Sequence, residues 1–599
     1  MATHGIFDRN QARLTPGQPT LGLLIGMLDD HYQNRVWSGI VDAAEEAGVN
    51  LLCFVGQSLR TPYGYDAQAN VVYDLVSAEA VDGLILMSGS LANFIGLEEM
   101  IRFCERFRPL PMVSVALELE NIPSVLVDNY RGMHDLVDHL IQAHGYTRLA
   151  FIRGPAGHPE AEDRFRAFKE TLAAHGLPLS ERLIAAGDFR QESGGPAIDY
   201  LTRERRLLAE AIVSCNDAMA LGALEALREK GLRVPYDVVV TGYDDVEEVR
   251  FTTPPLTTVR QPLYAQGRRA VDLLLAQLRG EDVLLRSVLP MELAIRQSCG
   301  CLSREMLQAE AGQVLHVDGG LEALLSSGRE RVLVAMLAAV PPEPGAKDPA
   351  WADRLLDSFT ADLSNPSEAV FLPALDGIVR RVDAEGGDVN LCHAMLSSLR
   401  RETLPYLSET TLRARAEDLW QQGRVLIGEA NQRVQARLRL QAQRVSQELR
   451  RVGQVLSTTV HLDDLAERMA QEVPRLGIPG GCIALYEEGG PAGQARPFLL
   501  WQEGRRLKTG AGLFSCRELV LRELPPGASW QIIVQPLYSR DTQIGFSLLR
   551  MGPRDGILYA ALQEQLSAAL HGALLFQERE NLVVGLENQT LQLRTAAEV

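Results

Sequence analysis

From Leu21 to about Cys301 the sequence alternates short apolar runs with amphipathic stretches, and this alternation confines half of the chain to one class of fold. LGLLI is followed by Val36, Ile40, Ala43 and Ala47 at helical spacing, a stop at Gly48, and then NLLCFV. That order reads as strand, helix, strand. It repeats through VDGLILM (81–87), PMVSVAL (111–117), SVLVD (124–128), RLAFI (148–152), AIVSC (211–215) and DVVVTGYDD (237–245), with helical patterns between. Strands fed by crossover helices form parallel sheets, so the region is α/β. The run is too long for one comfortable sheet and restarts near Tyr146, which predicts two lobes with a cleft between them. Ligands of such sheets sit beyond the carboxyl ends of the strands.

The 599-residue chain carries 59 Lys and Arg against 77 Asp and Glu, a net charge of −18. Such a charge repels phosphate backbones and anionic membranes, so neither direct DNA binding nor a membrane partner is expected. Of the eight cysteines only Cys299 and Cys301 are close together, which is neither a CxxC pair nor a disulfide framework. The opening MATHGIFDRNQARLTPGQPT, a tail over 1–20, has no signal-peptide pattern. The longest apolar run near a helix, Val332 to Val340, falls far short of the roughly 20 residues that span a bilayer. A cytoplasmic protein in a reducing compartment is therefore expected. His139 and His144 are five apart and should face different ways on a helix, which argues against a metal pair. No nucleophile, base and orienter set emerges, and there is no GxxxxGK[ST] loop, kinase glycine loop or GGDEF string. The expectation is a non-enzymatic chain with no catalytic residue, metal or cofactor.

After Cys301 the strand signal vanishes. Residues 302–425 read as a helical spacer with loops such as PPEPGAKDP (341–349), and 426–460 as a coiled-coil helix. In the latter, Leu438, Ala442, Val445, Leu449, Val452 and Leu456 step by four and three, the a/d seam of a helix that pairs with another helix. The same stripe is open to a second reading, packing onto preceding helices of one chain. Residues 461–575 begin with a short amphipathic helix ended by Gly477, followed by CIALYEE, PFLLWQE, WQIIVQPLYS and IGFSLLRM. GGPAG and SRDTQ mark hairpin turns, so this sheet should be antiparallel. A long helix from Leu558 carries Leu575, Leu582, Leu586 and Leu593 on an apolar stripe, and 576–599 reads as a signalling helix that stops without a capping signal.

Several strings, in order, carry a family resemblance: LGLLIGMLDDHYQNRVWSGIVDAAEEAGVNLL, VDGLIL, SVLVDNYRGMHDLVDHLIQAHGYTRLAFIRGP, SCNDAMALGALEALREKGLRVPYDVVVTGYDD and LTTVRQP. Residues 21–301 resemble the effector-binding domain of LacI-family repressors, which has the type 1 periplasmic binding protein fold. Family members carry a helix-turn-helix ahead of this domain, whereas the tail here shows no recognition-helix pattern, so no operator contact is expected. The resemblance implies a ligand between the lobes, a sugar or nucleoside. By the family's pattern its candidate ligand-binding residues are Asp30 and Tyr32, Ser88, Arg164, Phe189, Asn216 and Asp217, Asp244, and Gln261. Carboxylates, amides and a guanidinium suit vicinal hydroxyls, and an aromatic ring suits an apolar sugar face. Gly26, Met27, Ala116 and Leu117 stand where the family often has polar residues, which makes the pocket less polar and leaves open a cleft that binds nothing. Other roles stay open too: Asp217 as a helix N-cap, Asp244 and Asp245 as braces of a turn, and Arg164 paired at the surface with Asp163 or Glu160. Arg164→Ala and Asp244→Ala are each expected to abolish ligand-induced stabilisation and to leave the fold intact.

The pattern of Leu462 to Gln577, helix then antiparallel strands then long helix, resembles a GAF domain. Cys392-His393 matches a bilin-attachment dipeptide of some GAF domains but lies in the spacer, and Cys516 is followed by Arg517. The two resemblances imply a multi-domain α/β sensor: a two-lobed binding domain, an all-α spacer with a coiled-coil helix, and an α+β GAF-like domain. Such a sensor would work as a homodimer that relays ligand binding to an output domain, commonly a histidine kinase or nucleotide cyclase. The alternative is a co-regulator that acts through protein contacts without binding DNA.

Overall fold

A computed structural model describes residues 18–597 other than 203–208, 303, 311–316, 340–348, 366, 488–489, 491–492, 509–511 and 519–528. The tail through residue 17, nearly all of the PPEPGAKDP loop, most of the GGPAG turn and the side chain of Leu593 lie outside the described residues. Contacts group the chain into two compact units, one of Met1–Gly300 with Val445–Val599 and one of Cys301–Arg444.

In the first unit, β1 (Thr20–Ile25) is buried along its whole length. A strand covered on both faces shows a continuous apolar run and no alternation, as LGLLI does. It pairs in parallel with β2 (Asn50–Val55) and β3 (Gly83–Leu86), and β4 (Met112–Val115) and β5 (Ser124–Val127) extend the sheet. A separate parallel sheet holds β6 (Leu149–Ile152), β7 (Ile184–Ala185), β8 (Ala211–Ser214) and β9 (Val239–Thr241) in the order β7-β6-β8-β9. β10 (Thr258–Arg260) and β12 (Glu292–Ala294) form an antiparallel pair, while β11 (Arg286–Leu289) returns beside β5. These are the two α/β lobes the alternation predicts. The helix His31–Glu46 crosses Leu263–Leu278 so closely that a methyl at Gly39 would lie 2.1 Å from the Tyr264 carbonyl oxygen, and one at Gly267 2.1 Å from that of Val36. Only glycine allows that backbone approach.

The C-terminal strands β13 (Gly480–Tyr486), β14 (Gln494–Gln502), β15 (Arg505–Leu507), β16 (Phe514–Ser515), β17 (Gln531–Ser539) and β18 (Thr542–Arg550) are antiparallel among themselves. The outer edge of this sheet holds a feature that no periodicity reveals. β17 pairs in parallel with β2, Ile533 opposite Cys53, and the joined sheet runs β11-β5-β4-β3-β1-β2-β17-β18-β13-β14-β15. The Leu51 N–H donates to the Trp530 carbonyl (3.0 Å), the Trp530 N–H to Asn50 Oδ1 (3.2 Å) and the Gln531 amide to the Val41 carbonyl (3.2 Å). The helix Gly556–Ala597 closes the same core: Leu558, Leu562 and Leu566 join Leu21, Trp37, Ile40, Ile533 and Leu537 in one cluster. Arg554 beside its start pairs with Asp42 and Glu45 of the first lobe. Segments that read as successive modules therefore share one hydrophobic core.

The second unit is helical. Helices Ala350–Ser364, Phe371–Ala384 and Leu391–Thr403 and the first part of Thr410–Ser457 enclose Trp351, Leu355, Phe359, Phe371 and Trp420, with Phe359 stacked on Trp420 at 5.4 Å. Cys392 belongs to this core. The long helix begins at Thr410, earlier than the expected 426, because its first turns bury Ala416 and Trp420. Its predicted seam divides. Leu438 and Ala442 are exposed, Val445 and Leu449 are half-buried, and Val452 and Leu456 are fully buried in the first unit's core. For these last two the stripe marks burial within one chain, which corrects the expectation that the whole seam faces a partner helix. Leu575, Leu582 and Leu586 are exposed on the terminal helix. No helix among the described residues is long and apolar enough to cross a membrane.

Candidate functional site

Helix Pro159–Ala174 follows β6 and starts with proline at its first position, where the missing N–H costs nothing. One turn in, Arg164 is almost completely buried at the lobe junction. Its Nε donates to Asn129 Oδ1 and its Nη1 to the Cys215 carbonyl, both at 2.8 Å. Asp244 Oδ1 lies 3.6 Å and Glu160 Oε1 3.7 Å from the guanidinium, which rests 3.9 Å from the centre of the Tyr243 ring. Burial works against the cation, but Asp244 and Glu160 outweigh it and the Arg164 pKa rises. Arg164 is therefore no surface partner of Asp163, which pairs with Arg166 instead.

Asp244 follows β9 with φ at 122°, a strained value for a residue with a side chain. It is held there by its N–H donating to the Val259 carbonyl (2.8 Å) and by Gln261 Nε2 donating to its Oδ1 (2.6 Å). Burial pushes the Asp244 carboxyl well above the ordinary range even though Arg164 pulls it down. The nearby Asp217 carboxylate raises it further, ahead of the smaller contribution of Glu160.

The first lobe adds groups from the ends of its strands. Asp30 caps helix His31–Glu46, accepting from the Gln33 N–H at 2.8 Å. The Tyr32 hydroxyl is buried without a hydrogen-bond partner, in the field of Glu160, Asp244 and Arg164. Ser88, two residues after β3, has its hydroxyl 2.9 Å from that of Ser114. His158 Nε2 lies 3.0 Å from the Gly89 carbonyl, so that nitrogen carries the proton and Nδ1, buried and unpartnered, is a bare acceptor. Phe189 meets the His158 ring edge-on at 5.2 Å, and its carbonyl accepts from Asn216 Nδ2 at 2.8 Å. The lobes also meet where His31 Nε2 pairs with Glu248 at 2.5 Å.

Two sequence readings change. Asn216, not Asp217, caps helix Asp217–Glu229, accepting from the Met219 N–H at 3.0 Å. Asp217 instead accepts from the Thr258 hydroxyl (2.7 Å) and the Val246 N–H (3.0 Å), fastening the segments that cross between lobes. Asp245 braces its turn through Arg250, Arg260 and Arg296. The structure thus gathers Tyr32, Arg164, Phe189, Asn216, Asp244 and Gln261 around one buried polar network, while the hydrogen bonds of Asp217 go to Thr258 and Val246. Asn129, His158 and Glu160 belong to that network and were missed. Glu160 and Arg164 at i,i+4 were the available signal. A cavity of about 450 Å³ bordered by Asp128, Arg131, Val259 and Met291 shares no lining residue with the network.

Burial pushes the Asp217 carboxyl up to about 7, against the pull of its Thr258 hydrogen bond. The folded chain keeps a proton that the unfolded chain releases, so this group's stabilisation is complete below about pH 4 and is lost as the pH rises through about 7. Asp217→Asn, neutral throughout, should flatten that part of the decline. Urea unfolding at both ends of the window checks it, and an unchanged difference between the two pH values counts against the assignment.

Residues 137–299 match the model of a periplasmic binding protein-like domain. The HTH-type transcriptional repressor CytR of Escherichia coli strain K12 is 31% identical over 296 residues, 49% of this chain and 81% of CytR. The chain belongs to the LacI family. The LacI-family segment is also 31% identical over 210 residues to the repressor PurR of Haemophilus influenzae, spanning 35% of this chain and 60% of PurR. Among solved structures, a LacI family transcriptional regulator from Mycobacterium smegmatis aligns with a TM-score of 0.42 at 27% identity, covering 46% of this chain and 98% of that one. The two-lobed half is thus a LacI/PurR-like effector domain, and the buried network sits where its lobes meet.

Proposed function

We propose that this chain is a cytoplasmic sensor that takes a small polyhydroxylated ligand, a sugar or nucleoside, between its lobes. The observation that carries the reading is the pair of buried, unpartnered polar atoms, Tyr32 Oη and His158 Nδ1, beside the Arg164–Asp244–Gln261 array. Buried polar atoms are nearly always satisfied, and a hydroxyl that can both donate and accept would serve both of these. Phe189 supplies a ring edge for an apolar ligand face. On this reading, lobe closure is passed to the joined sheet through β2 and on to the exposed stripe of helix Gly556–Ala597, where two copies pair and engage an output element. The antiparallel sheet between two helices supports the likeness to a GAF domain in that relay.

The test is a thermal-shift screen of the full chain against sugars, sugar phosphates, nucleosides and purines. A ligand at a hundred times its Kd adds about 2.7 kcal/mol to the folded state. At least one compound should raise the melting temperature, and Tyr32→Phe should weaken the rise. Silence across the panel from well-folded protein would transfer the cleft to protein contacts, the co-regulator reading.

A further inference from the structure

Far from the polar network, the end of helix Asn129–His144 meets the chain that leaves β12. The ligand atoms of His139, His144, Cys299 and Cys301 all lie within 4.8 Å of one another. Cys299 Sγ is 3.7 Å from His139 Nε2. Zinc bonds of about 2.3 Å to sulfur and 2.0–2.1 Å to nitrogen put tetrahedral ligands roughly 3.4–3.8 Å apart, so this edge already has the right length.

The backbone explains how residues of unpromising spacing converge. His144 is the last helical residue, and Gly145 turns the chain in the left-handed region at φ 71°. The histidine rings reach around the helix end from two sides and meet edge-on at 5.2 Å. Gly300 is also left-handed, φ 96°, so the Cys-Gly-Cys turn folds back over the same spot. A Cβ on Gly300 would sit 3.8 Å from His144 Nδ1. Tyr146 stacks on His144 at 5.3 Å and donates its hydroxyl to the Cys299 carbonyl at 3.4 Å, which fixes the ring and the turn together. Five-residue spacing separates two histidines only on an unbroken helix. At its last residue that condition fails.

We propose that His139, His144, Cys299 and Cys301 hold one zinc ion as a closed structural site. Two thiolates and two imidazoles are a zinc set, and four protein ligands leave no position for substrate.

The test is elemental analysis of the full chain purified under reducing conditions without chelator. About one zinc per chain is expected, falling below roughly a tenth in Cys299→Ser and Cys301→Ser. Cobalt(II) exchange into the wild-type protein should give tetrahedral d–d bands and a thiolate charge-transfer band in the near ultraviolet. The cobalt readout uses the native chain, so it decides the matter even if a variant fails to fold. Wild-type protein with neither zinc nor a thiolate–cobalt band overturns the proposal, as does Cys301→Ser that keeps its full complement of metal.

Discussion

Arg164→Ala should lose all ligand-induced stabilisation and also destabilise the ligand-free chain by about 3–5 kcal/mol, the usual cost of stripping one partner from a buried ion pair. The substitution leaves Asp244 and Glu160 buried without their cation, and Asn129 Oδ1 and the Cys215 carbonyl without a donor. The sequence alone predicts an intact fold. Burial changes that, because the Arg164 side chain is itself part of the core. Arg164→Lys keeps the charge but not the fork that reaches Asn129 and Cys215 together, so it should retain more stability and still lose the ligand response. Urea unfolding combined with the ligand screen separates the two effects. If Arg164→Ala unfolds within 1 kcal/mol of wild type (about the loss of a single neutral hydrogen bond), the network is not the anchor described.

The second large effect is expected at the seam between the sheets. Ile533 is fully buried, opposite Cys53 in the parallel pairing of β17 with β2, in the cluster that also holds Trp37 and Ile40. Ile533→Asp places an unpaired carboxylate there and should cost about 4 kcal/mol or more. Because the first lobe and the C-terminal sheet share that core, both should lose protection together, and hydrogen exchange should report faster exchange in β1 and β2 as well as β17. Faster exchange confined to β17 and β18 would show that the sheets are energetically separate. The full chain is therefore the right material for ligand binding, since residues 1–301 alone would expose the β2 edge and the apolar groups that pack against Ile533 and Leu537.

What the sequence makes legible is what local periodicity encodes. Strands buried on both faces read as LGLLI or NLLCFV, hairpins as apolar runs around SRDTQ, and helix ends as Gly145 or Gly477. The candidate site was legible only through family resemblance, and its missing members show why. Glu160 looks like an ordinary first-turn carboxylate, and only the fold reveals that it turns inward to Arg164. His158 precedes Pro159 like any loop residue. The heptad of Thr410–Ser457 was correctly apolar, yet a period of seven cannot tell a partner helix from the chain's own core, and Val452 and Leu456 took the core. The β2–β17 pairing is invisible in the sequence, since no repeat or spacing relates two strands whose paired residues Asn50 and Trp530 lie 480 positions apart.

That separation has a consequence for how the molecule is made. A ribosome adding 5–20 residues each second delivers β17 roughly 25–100 s after β2. Throughout that interval β2 presents an unsatisfied row of amides and carbonyls, the template on which nascent chains stick to one another. The pairing that covers this edge forms only once β17 has been made, so a ribosome that stalls earlier releases a product with an adhesive rim.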